Sequence, residues 1–103
     1  MRLVDVVAQL GSVNRELCIV ARRPWNRECD AKLIHLTEEG RVPVEEQAEG
    51  FEYFVEVDIA LEDALPESNV TLSAEQKFDA ILHYATHDAS PAWLNDMCTA
   101  RNP

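Results

Sequence analysis

Apolar residues in this chain recur with a helical period at its two ends and a strand-like period in between. Leu3, Val6, Val7 and Leu10 form the i, i+3, i+4, i+7 stripe of an amphipathic helix. Gly11 stands where a left-handed cap is expected to end it. Residues 17–21, Leu-Cys-Ile-Val-Ala, are an unbroken apolar run that predicts a strand covered on both faces and central in its sheet. A basic loop containing Pro24 and Trp25 follows, then a second short strand at 32–36. Residues 37–50 show no period and hold Gly40, Pro43 and Gly50, which reads as a long solvated connection. Over 51–58 the alternation is strict. Phe51, Tyr53, Val55 and Val57 point one way, while Glu52, Phe54, Glu56 and Asp58 point the other.

From Ile59 the period lengthens again. Ile59, Leu61, Ala64 and Leu65 predict a short helix stopped by Pro66. Ser73 with Gln76 forms a capping box ahead of the strongest helix, residues 74–87, with the stripe Ala74, Phe78, Ile81, Leu82, Ala85. Ser90-Pro91 opens a terminal helix carrying Trp93, Leu94 and Met97. The order predicts one α+β domain over residues 1–103: an N-terminal helix, a three-stranded antiparallel sheet, and two to three C-terminal helices packed on one face.

Charge changes the picture more than composition does. Residues 1–37 carry four acids and six bases, whereas residues 38–103 carry fifteen acids and three bases, within a net charge of −10. Such an excess repels nucleic acid and anionic membranes and favours a basic protein partner. Partner-binding candidates are Glu52, Phe54, Glu56 and Glu62 on the acidic face, with Trp25 as a second aromatic anchor. Burial is the competing reading for both aromatics.

Several chemistries lack their residues. Glycines at 11, 40 and 50 alone cannot build a Gly-rich phosphate loop, and no G-x-S-x-G occurs. No catalytic set and no cofactor is expected. Three cysteines (Cys18, Cys29, Cys98) without a C-x-x-C pair read as reduced, with Cys18 a buried apolar residue and Cys29 exposed. Asp5 inside the first apolar run argues against an export signal, so a cytoplasmic setting is expected. Asp79, His83 and His87 share one helix face and offer a divalent-metal set, although the same face reads equally as the wet side of an amphipathic helix. A small-molecule or enzyme pocket between sheet and helices would use Trp25, Tyr53, Tyr84 and Trp93. A homodimer contact would centre on Trp93, Leu94 and Met97.

The stretch V-E-V-D-I-A-L-E-D-A-L-P from Val55, followed by L-S-A-E-Q-K-F-D-A-I-L-H-Y-A-T-H-D-A-S from Leu72, resembles small bacterial domains of unknown function. The matching positions are Asp58, Ile59, Leu82, Tyr84, Asp88 and Ala89. These domains are of the immunity-like or mobile gene cassette type. The resemblance implies the same order of elements and a bacterial cytosolic setting, and transfers no catalytic residue. Tyr84 and Asp88, four apart, are expected to finish the helix rather than do chemistry.

Overall fold

A computed structural model describes residues 1–65, 72–89 and 91–94. The chain runs α1 (Leu3–Ala8), a 3-10 turn (Leu10–Ser12), β1 (Cys18–Arg22), β2 (Ala31–Ile34), α2 (Val44–Ala48), β3 (Phe51–Glu56), α3 (Val57–Ile59), a π-helical turn (Ala60–Ala64) and α4 (Ala74–His87). Residues 92–94 add a helical turn. The three strands form an antiparallel sheet in the order β2-β1-β3. The expected α+β architecture is therefore present, with the apolar run at its centre and Cys18, Ile19, Val20 and Ala21 completely buried.

Helices α1 and α4, with the π-helical turn, pack on one sheet face, while α2 lies beside β3 on the other. Leu3, Val6, Val7 and Leu10 from α1 and its following turn meet Ile19, Ala21, Phe54 and Val55 from the sheet. Ala60 and Ala64 from the π-helical turn, with Phe78 and Ile81 from α4, complete that core. On the opposite face Cys18, Val20 and Phe51 form a smaller cluster closed by Val42, with Ile34 and Leu36 against it. A third cluster joins Leu72, Ala80 and Leu94.

The predicted alternation of β3 fails at one place, for a definable reason. Ile19 pairs with Val55 but its neighbour Val20 pairs with Tyr53, leaving Phe54 as the extra residue of a β-bulge. Phe54 and Val55 consequently both join the helix-side core, and the strand's phase inverts across the bulge. Phe51, opposite Arg22, and Tyr53, opposite Val20, face the other side. The strand ends at Glu56, and the following helix begins at Val57, two residues before the expected start.

Three other expectations are corrected. Gly11 lies within the 3-10 turn and α1 is capped by Gln9, so no left-handed glycine ends that helix. Residues 37–50 are not simply solvated: α2 sits within them, Val42 is buried, and Gly40 and Gly50 take the positive φ values of 77° and 89° at two turns. The second strand starts one residue earlier and stops two earlier than predicted. The capping box of α4 forms in both directions, Gln76 N–H to Ser73 Oγ at 3.1 Å and Ser73 N–H to Gln76 Oε1 at 2.9 Å. At its other end Asp88 takes φ 56° and its N–H donates to the Tyr84 carbonyl at 2.7 Å, which is the terminating role expected of that pair.

Candidate functional site

The charge asymmetry along the sequence becomes a web of pairs in space. Each base of residues 1–37 lies on a carboxylate. Arg2 meets Asp5 and Glu28, and Arg22 meets Asp30 at 3.0 Å. The other four reach beyond residue 37. Arg15 clamps Asp58 and Glu62, Arg23 holds Glu52 at 3.1 Å, and Arg27 lies 3.8 Å from both Glu75 and Asp79. Lys32 Nζ is 2.6 Å from the buried Glu46 Oε2, a charge contact outside hydrogen-bond geometry, and 4.0 Å from Glu49. Such exposed pairs stabilise a fold only weakly, by about 0–1 kcal/mol each. Their larger consequence is that these carboxylates are already matched.

Among the described residues, carboxylates without an ion-pair partner include Glu38, Glu39 and Glu45, which lie together in the 37–50 segment. Glu38 and Glu39 sit on a turn closed by Thr37 N–H to the Arg41 carbonyl (2.8 Å) and Arg41 N–H to Thr37 Oγ1 (3.1 Å). Glu45 is the second residue of α2, directly after Val44, which is 75% exposed. Glu16, Asp63 and Asp88 are also unpaired but lie apart in the chain.

None of the five partner-binding candidates is free. Glu52 and Glu62 are held by Arg23 and Arg15, and Glu56 accepts the Tyr53 hydroxyl at 3.2 Å. Phe54 is 2% exposed, because the bulge turns it away from the glutamates that flank it in sequence. Its ring meets Trp25 edge-on, with centroids 4.9 Å apart at 78°. Trp25 Nε1–H donates to the Ala21 carbonyl, and Arg23 stacks on the outer indole face at 3.8 Å. Phe54 is therefore part of the core, and Trp25 is half-buried against it.

The far face of the sheet holds the feature that sequence reasoning missed. A groove of about 590 Å³ runs between β3 and the 40–50 segment, over Phe51 and Tyr53, with Val42, Gln47 and Arg41 along its walls and Gly40 and Gly50 at its turns. Sequence reasoning placed a pocket on the helix side instead. Along the outer edge of β3, Tyr53 and Tyr84 do share a recess, but it is only about 110 Å³, and Trp25 and Trp93 do not line it. A cleft of about 330 Å³ between α1 and α4 is lined mainly by apolar side chains, including Val7, Leu61 and Phe78.

Cys18 and Tyr53, neighbours on the far face of the sheet, titrate above their ordinary values. Burial first, and the Glu56 charge second, push the Cys18 thiol up to about 12, so it is no nucleophile near neutrality. The same two causes, in the same order, push Tyr53 up to about 12. Cys29 is partly buried, and Cys98 lies outside the described residues. Asp79, His83 and His87 do not converge. Asp79 turns to Arg27, His83 Nδ1 lies 2.8 Å from the Ala89 carbonyl, and only the two imidazoles are neighbours, at 4.5 Å between centroids. No group of three metal-ligating side chains occurs among the described residues. In the proposed dimer contact Leu94 is instead buried against Leu72 and Ala80, while Met97 lies outside the described residues.

No family model, curated protein or solved structure matches the chain. The likeness of the second half to small bacterial domains accordingly has no counterpart there and assigns no residue a role. Among the described residues no helix is long and apolar enough to cross a membrane.

Proposed function

We propose that the chain is a non-enzymatic protein-interaction module of the immunity or inhibitor kind, docking a basic protein surface through the 38–45 segment. The supporting observation is what internal pairing leaves over: Glu38, Glu39 and Glu45 stay unmatched in the same short stretch of chain that carries the exposed side chain of Val44. An exposed apolar side chain flanked in sequence by like charge is a composition suited to a protein interface, and a field of this sign steers cationic partners and repels polyanions. The net charge of −10 gives that field its range at low salt.

The test is capture of basic proteins by the triple variant Glu38→Lys, Glu39→Lys, Glu45→Lys. A control carries Glu16→Lys, Asp63→Lys and Asp88→Lys, which changes net charge equally at other places. The proposal expects capture to fall at least about tenfold for the first variant and little for the control. Equal loss in both would mean that overall charge, not this segment, attracts the partner.

A further inference from the structure

The groove over β3 has the volume, floor and single free charge of a small-molecule site. Its roughly 590 Å³ falls within the range of ligand pockets. Tyr53 supplies an aromatic floor and is 42% exposed, so part of its ring has no protein neighbour to cover it, whereas Phe51 beneath is 7% exposed and carries Arg22 and Lys32 over its ring at 4.6 and 4.7 Å. Gln47 donates from Nε2 to the Val42 carbonyl at 2.7 Å, which fixes the amide and leaves its oxygen as an acceptor. Two charged side chains reach the groove. Glu52 is neutralised by Arg23 at 3.1 Å, whereas Arg41 has no carboxylate within ion-pair distance among the described residues, even in this acid-rich segment. The guanidinium is therefore the one unmatched charge among the described groove residues.

We infer that this groove binds a small organic anion with a flat apolar body, an aryl carboxylate in class. The carboxylate sits on Arg41, whose planar donors suit a bidentate contact, and the ring lies against the exposed part of Tyr53. Acids beyond the segment oppose such a guest only weakly at physiological salt, where fields between exposed charges fade over about 8 Å, and Glu38 and Glu39 on the same turn form no ion pair with the Arg41 guanidinium. This site goes beyond the docking role: it uses the only cation of the segment, while docking uses its unmatched acids.

Three probes of one shape separate the possibilities: 2-naphthoate, uncharged 2-naphthylmethanol and 2-naphthylmethylammonium. They are titrated into the isotopically labelled full chain at physiological salt, following backbone amide signals. Saturable shifts at Arg41, Gln47, Gly50 and Tyr53 are expected with naphthoate, with the alcohol binding about tenfold more weakly. Arg41→Ala should abolish that preference and Arg41→Lys should keep part of it. The Arg41 side chain is exposed and only its backbone bonds to Thr37, so both variants should melt within about 2 °C of the parent chain. Failure to saturate at roughly millimolar naphthoate overturns the assignment. So does tighter binding of the ammonium probe, or a preference for the acid that survives Arg41→Ala.

Discussion

At the scale of single residues, Phe54 and Cys18 show how position overrides type. Phe54 lies between two glutamates in sequence yet is almost fully buried, edge-on to Trp25. Phe54→Ala should cost about 3–5 kcal/mol, read from denaturant unfolding, because it leaves a cavity beneath the indole. A surface anchor would cost almost nothing in that measurement. Cys18 carries the opposite signature, a polar group held neutral. Its folded-state thiol titrates near 12 against an ordinary value of 9.0. Between those values the unfolded chain loses a proton that the native chain keeps, so stability falls as pH rises from about 9 towards 12, by up to about 1.4 kcal/mol per unit. Tyr53 adds a loss of the same sign above pH 10. Cys18→Ala should therefore flatten the decline of stability between pH 9 and 10; an unchanged slope would show that this thiol does not carry it.

At the scale of elements, α4 rests on its cap. Both arms of the Ser73–Gln76 box are formed, so Ser73→Ala should destabilise by about 1 kcal/mol and lower Tm by about 5 °C. A change near zero would mean that Phe78 and Ile81 anchor the helix without help from its end. This helix was legible in the sequence because cap and stripe are local patterns that agree. β1 was legible because an unbroken run of five apolar residues has few alternatives in a small sheet. The β3 bulge was not: alternation over 51–58 is complete in sequence, and only pairing with Ile19 and Val20 reveals the extra residue. α2 escaped notice because it is five residues long and buries none of them, so no stripe marks it. The groove escaped with it, since one wall is the segment that carries α2.

At the scale of the whole molecule, the contrast between a basic first third and an acidic remainder is a folding pattern before it is a binding pattern. Arg15, Arg23, Arg27 and Lys32 carry the basic stretch onto the acidic one, so half of the expected docking face is already neutralised within the chain. Charge totals were readable from sequence, whereas the pairing depends on tertiary approach and was not. Glu38, Glu39 and Glu45, in the stretch of chain that carries Val44, are left unpaired. The central claim is that these three, rather than net charge, govern partner capture. Its most direct test is the association rate of a captured basic partner as a function of salt, for the parent chain and for the Glu38→Lys, Glu39→Lys, Glu45→Lys variant. The account predicts a rate that drops about tenfold or more and loses most of its salt dependence in the variant, with a smaller change in dissociation. An unchanged rate and an unchanged salt slope would contradict it.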